Sequence, residues 1–175
     1  MRKPLHVLII SDNAVNIRSL SDALQDGGYE PVVEAIDSAA ALSAALMRGV
    51  WDVAFSEHSL TGFSALAALA LLKETGCDIP FIVVGSALSS EAAVAMFHAG
   101  AHDCIQQDQL AILVPAMERE VKAAATRAAL REAATRYTTL VEQIPAGIHT
   151  MALDTSGSTL SISPPLERIL GYSLA

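Results

Sequence analysis

Four short apolar runs in the first two-thirds of the chain end on residues whose types could do chemistry. Leu5 to Ile10 leads into Ser11 and Asp12. Asp52 to Ser56 ends on Glu57. Pro80 to Val84 ends on Gly85 and Ser86, and Cys104 to Gln106 ends on Gln107. Asp12 and Glu57 are carboxylates at two of these ends. Ser86 has no positioned base to make it a nucleophile. His58 follows Glu57, but no second histidine stands at a metal-ligand spacing from it, so it reads as a loop residue. His98 and His102 straddle Gly100 and so do not share a helix face. Cys77 and Cys104 are too few for a disulfide framework and too far apart for a local metal site. Cys104 reads as a small buried hydrophobe, and Trp51 as an anchor for the loop entering the run at residue 52. No Gly-x-Gly-x-x-Gly follows a strand, which argues against a dinucleotide site.

The segments between these runs would position the residues. Asp12 or Asn13 can cap a helix that Gly27 and Gly28 stop. Pro31 to Ile36 is a further strand. Asp37 or Ser38 opens a helix that Gly49 ends. A third helix runs from about Ser64 to Thr75, and a fourth from Ser89 or Ser90 to His98 before Gly100. Five mostly apolar strands alternating with helices predict a parallel sheet covered on both faces. Right-handed crossovers then restrict the topology to a doubly wound α/β fold. Sites in such folds lie outside the carboxyl ends of the strands. That rule gathers Ser11, Asp12, Glu57, Gly85 and Gln107, whereas Asp52 starts its strand at the opposite end of the sheet.

The chain has 175 residues, 52% of them hydrophobic, 17% charged and 5% aromatic. That balance excludes disorder and requires an aliphatic, alanine-rich core. The net charge of -8 resides in residues 1–109, which argues against nucleic acid as partner. No apolar run reaches the ~18 residues of a membrane span, and the start is too short for a signal peptide. The expected location is the cytoplasm, with no membrane partner.

Beyond Asp108 the pattern changes. Leu110 to Val114 predicts a short turn, and Pro115 suits the first position of a helix. Residues 115–143 hold no further glycine or proline, enough for a helix of about 40 Å. Met117, Val121, Ala124 and Ala128 form one apolar stripe. Leu130, Ala134, Tyr137, Val141 and Ile144 form a second, out of register with the first. Pairing with a second copy is predicted; the alternative is a helix folded back on its own domain. Residues 144–175 predict a strand near 148–153, another near 159–163 and a short helix after Pro164-Pro165. About 30 residues cannot bury a core alone, so they read as the beginning of a further domain.

These residues resemble the receiver domains of bacterial response regulators over about residues 4–125, within a receiver-like domain expected over residues 1–125. The resemblance rests on Ile10-Ser11-Asp12-Asn13, on Asp52 through Phe63, on Pro80 to Val84, and on Ala99-Gly100-Ala101-His102-Asp103. It implies a flavodoxin-like, doubly wound five-stranded parallel sheet (the CheY-like fold). Leu110 through Glu120, together with Tyr137 to Ala146 and Ile169-Leu170-Gly171-Tyr172-Ser173, resembles the subgroup in which a linker helix joins a receiver to a PAS domain. In that subgroup cyclic-di-GMP domains often follow. Residues 115–143 would then be the linker helix and residues 144–175 an incomplete PAS domain.

The resemblance also identifies departures. Glu57 stands at the aspartyl phosphoacceptor position. Ser11 replaces the first of two metal-holding acids, leaving Asp12. Gly85 stands at the hydroxyl switch position, Gln107 at the lysine position and Cys104 at the switching aromatic. Phosphoryl transfer depends on positioning and charge neutralisation, and both are diminished. Glu57 reads either as a permanent stand-in for the phosphorylated aspartate or as a solvated carboxylate at a decayed site. The expectation is a degenerate receiver: no enzyme and no cofactor beyond Mg²⁺ held weakly at best by Asp12 and Glu57, since that ion demands near-octahedral oxygen ligation. The receiver would dimerise or dock through its fourth helix, fifth strand and fifth helix, as the resemblance implies. Implied partners are a sensor kinase and downstream domains of a longer chain. The alternatives are a genuine phosphoacceptor receiver and a small-molecule sensor.

Overall fold

The computed structural model describes residues 2–58, 60, 62–143, 149–151 and 159–162. The chain divides into two units, residues 1–126 and 127–175. The first contains β1 (Lys3–Ile10), α1 (Ala14–Asp26), β2 (Tyr29–Ile36), α2 (Ala39–Arg48), β3 (Val53–Glu57), α3 (Ala65–Glu74), β4 (Phe81–Gly85), α4 (Ser90–Ala99) and β5 (Asp103–Gln106). A 3-10 segment, Gln107–Ile112, leads into α5 (Leu113–Gln143). The five strands form one parallel sheet in the order β2-β1-β3-β4-β5. This is the doubly wound sheet expected from the alternating pattern, in the flavodoxin-like order that the resemblance implies.

Local chemistry fixes the helix starts. Asn13, Ser38, Ser64 and Ser89 each accept a hydrogen bond from a backbone N–H in the first turn. Such caps contribute about 1 kcal/mol apiece. Gly100 closes α4 with a left-handed φ of 101°, a conformation that a Cβ disfavours.

The period-two alternation of the strands sorts the core into two layers. Leu5, Val7 and Ile9 of β1, Val53 and Phe55 of β3, Ile82 and Val84 of β4, and Ile105 of β5 face α1 and α5. Leu8, Ile10, Ala54, Phe81 and Val83 face α2, α3 and α4. Every central strand is therefore apolar on both faces, as a parallel sheet between helices requires.

Three boundaries differ from the sequence reading. β2 begins at Tyr29 rather than Pro31, because β2 is an edge strand and tolerates a residue without an N–H. The stretch expected as a turn over 110–114 is the end of the 3-10 segment and the start of α5. The long helix consequently begins at Leu113, not Pro115. Pro115 sits in its first turn, where a missing N–H costs nothing. In the second unit, β6 (His149–Met151) and β7 (Thr159–Ile162) pair antiparallel, inside the two predicted strands. The helix expected after Pro164-Pro165 lies outside the described residues.

Candidate functional site

The sheet register assembles the site. Ile10 pairs with Ser56, Glu57 with Val84, and Gly85 with Gln106. Ser11, Glu57, Gly85 and Gln107 therefore meet at the carboxyl ends of adjacent strands. The alternation then decides which face each side chain takes. Ser11 continues the parity of Val7 and Ile9, Glu57 that of Phe55, and Gln107 that of Ile105. All three turn toward α1. Gly85 and Gln106 fall on the other parity, toward the loop between β4 and α4.

On the α1 side the polar groups satisfy one another. Ser11 Oγ donates to Glu57 Oε2 at 2.7 Å, and Asn16 Nδ2 donates to Glu57 Oε1 at 2.9 Å. Both carboxylate oxygens thus have neutral partners. Ser11 is itself buried and accepts from the Asn13 N–H at 3.0 Å, which ties the carboxylate to the start of α1. Gln107 Nε2 donates to Asn16 Oδ1. A continuous chain, Gln107 to Asn16 to Glu57 to Ser11, encloses a space of only about 10 Å³. That is about the size of one water probe.

On the other side, Glu57, His58, Gly85, Ser86 and Ala87 line a cavity of about 80 Å³. Its wall is close. A Cβ at Gly85 would lie 3.0 Å from Leu88 Cδ1 and 3.1 Å from His58 Cβ. A hydroxyl residue at Gly85 would have to push both neighbours aside. Gln106 holds Leu88 in place: its Nε2 donates to the Leu88 carbonyl at 2.9 Å, and its Oε1 accepts from the Leu88 N–H at 3.4 Å.

Asp12 is exposed and lines neither space. Among the described residues no three His, Cys, Asp or Glu side chains group as metal ligands. The donor set fits Mg²⁺ poorly, since one carboxylate is already held by neutral donors and the other stands apart from both cavities. Among the described residues, no lysine or arginine lines either cavity. Cys104 is half-buried against the α2–α4 layer, where burial and then the neighbouring Asp103 charge push its thiol up to about 11. His102 lies at the far end of the sheet, where its Nδ1 accepts from the Phe81 N–H at 3.1 Å. Asp52 is also there, accepting from the His6 N–H at 2.7 Å. Trp51 anchors its loop through Nε1 to the Ala45 carbonyl at 3.0 Å.

Two site residues escape a reading based on strand ends. Asn16 lies one turn inside α1, and Gln106 precedes the expected site position. Helical spacing from the Asn13 cap could have flagged Asn16, because residues three apart share a face.

The sequence profile of the response regulator receiver domain matches residues 7–114, more than half of the chain. The chain belongs to that family. Among solved structures, this receiver is similar to FixJ-N, at 26% identity and a TM-score of 0.59, over 70% of this chain and 96% of that one. It is similar to the signal receiver domain of a signal transduction histidine kinase from Syntrophus aciditrophicus, at 20% identity and a TM-score of 0.57, over 68% and 91%. It is also similar to the signal receiver domain of NarL from Mycobacterium tuberculosis, at 18% identity and a TM-score of 0.58, over 70% and 98%. A search of curated proteins finds no match. Membership places the receiver in two-component signal transduction. No described helix is long and apolar enough to cross a membrane.

Proposed function

We propose that this receiver signals without carrying a phosphoryl group, as a non-enzymatic interaction module. The observation that carries this reading is the Glu57 carboxylate, with both oxygens bonded to the neutral groups of Ser11 and Asn16 and, among the described residues, no lysine or arginine lining the space around it. An acyl phosphate there would need its charge neutralised, and the side chain that stands in the lysine position is committed to Asn16. Glu57 also carries its carboxylate one methylene further out than aspartate would, and a displacement of about 1 Å can cost ~100-fold in rate. A sensor role for this pocket is disfavoured, because about 80 Å³ is well below the ~300 Å³ of a small-molecule site.

The output of this proposal runs through α5. Leu113 and Met117 of its first turns are buried in the receiver core. Farther along, Leu130 and Tyr137 are 72% and 65% exposed and stand seven residues apart. That spacing is the seam of a two-stranded coil, and the occupant we assign is a second copy of this chain. Exposed Val94 and Phe97 on α4 offer a second docking face, the one the family resemblance implies. Residues 144–175 then open a PAS domain that receives the helix arrangement, with cyclic-di-GMP domains as the downstream class.

Incubation of the protein with a small phosphoryl donor and Mg²⁺, read by intact mass, tests the first part. Unchanged mass is expected, and stoichiometric addition of one phosphoryl group overturns the reading. Light scattering of the wild type and of L130E/Y137E tests the second. The wild type is expected to be dimeric and the variant monomeric; equal masses remove the helix as the dimer element.

A further inference from the structure

We infer that the consecutive glutamines Gln106 and Gln107 form a two-sided latch that fixes the rim of the site in one arrangement without a phosphoryl group. The inference rests on the phosphorylation-independent reading and names the residues that would replace the missing ligand.

The end of β5 makes the latch possible. Adjacent strand residues point to opposite faces, so two glutamines in succession reach two different structures from one backbone segment. Gln106 takes the face of Gly85. Its side-chain amide both donates to the Leu88 carbonyl and accepts from the Leu88 N–H. A neutral amide is one of the few side chains able to satisfy both backbone groups of a single residue at once. Leu88, so held, lies against the open side of Gly85, 3.0 Å from where a Cβ would be. Gln107 takes the face of α1. It donates to Asn16 Oδ1 while Asn16 donates to Glu57. Gln107 is also the first residue of the 3-10 segment that leads to α5. The bond to Asn16 therefore ties the root of α5 to β3 through α1.

The two arms divide the work. One holds the β4–α4 loop over the cavity below Gly85. The other holds the entry to α5 against the carboxylate. A phosphoryl group would have to displace the second arm to gain a donor, and the first keeps Leu88 against Gly85.

Backbone amide exchange in the full chain tests this directly. Wild type, Q106M and Q107M are compared, since methionine keeps the length of each side chain and removes its hydrogen bonds. Q106M is expected to speed exchange of the Leu88 amide by about tenfold and to leave residues 107–112 unchanged, the size expected for losing one hydrogen bond. Q107M is expected to speed exchange across residues 107–112 and to leave Leu88 unchanged. Core amides such as that of Ile9 report that each variant is folded. If Q106M unfolds, Q106A keeps the test: it removes both hydrogen bonds to Leu88 without placing an apolar chain at the rim, so Leu88 should still loosen. Leu88 exchange that stays at the wild-type rate in folded Q106M or Q106A overturns the latch, as does a Q107M that leaves 107–112 protected. The phosphoryl-donor experiment separates the two ideas. Phosphorylation of a wild type whose variants loosen as described would end the phosphate-independent reading and leave the latch standing.

Discussion

The two ends of the sheet solve the same electrostatic problem differently. At the amino end, carboxylates meet titratable or charged partners. Asp52 lies beside the His6 ring at 3.5 Å, and Glu118 accepts from the Tyr29 hydroxyl at 2.6 Å. Lys3 sits over the Tyr29 ring at 5.8 Å, and Lys122 joins these groups around a cavity of about 330 Å³. At the carboxyl end, Glu57 accepts from the Ser11 hydroxyl and the Asn16 amide. The scaffold does bring a cation to an acid where β5 begins, Arg119 to Asp103 at 2.7 Å, whereas among the described residues no lysine or arginine lines the space around Glu57. Hydrogen bonds from neutral groups can hold one resident carboxylate. They supply no net charge to offset a second negative group.

The strongest way to break this contrast is to add that second group. Ser11→Asp would place another carboxylate in a buried position beside Glu57. The expected cost is about 3 kcal/mol or more, the scale of an uncompensated buried charge. Adding Gln107→Lys should recover part of it. Chemical denaturation of the single and double variants reads both, and an S11D as stable as the wild type would show that the pocket already holds a cation's worth of positive potential.

Asn16→Ala removes the donor to Glu57 Oε1 and the acceptor of Gln107 together. A loss of about 2 to 3 kcal/mol is expected, since a hydrogen bond to a charged group contributes about 1.5 to 3 kcal/mol. Denaturation midpoints check it. A loss insensitive to added salt would sharpen the comparison, because the donors are neutral.

At the other end, pH is the lever. The bond to Glu118, then burial, then the Glu118 charge raise the Tyr29 hydroxyl to about 12 from an ordinary 10. A raised value means that the protonated form is favoured by folding. Its stabilisation is complete below pH 10 and is lost as pH rises through about 12. Tyr29→Phe should remove that part of the alkaline decline, which thermal melts at successive pH values would record. The smallest effect belongs to Asp52→Ala. Its side chain and that of His6 are well exposed, so the change should stay within about 1 kcal/mol and shrink with salt.

Most of the fold was legible because it rests on patterns the chain states locally. The runs Leu5–Ile10 and Pro80–Val84, the serine caps and the glycine stops each name an element without help from distant residues. Strand parity even foretells the faces of Ser11, Glu57 and Gln107. The site was legible at its strand-end positions and not beyond them. Asn16 is central only because α1 crosses above β3, and Gln106 because β5 runs beside the β4–α4 loop. Both are long-range facts. The start of α5 was misplaced for a related reason: Pro115 resembles a first helical residue, yet Leu113 is drawn into the core one half-turn earlier.

Fluorine NMR of the wild-type receiver with beryllium fluoride and Mg²⁺ tests the central claim most directly, because that complex imitates a phosphoryl group on a carboxylate and needs the same charge neutralisation. The account predicts the signals of free fluoride species alone. A set of slowly exchanging, protein-bound fluorine resonances that disappears in Glu57→Gln would contradict it.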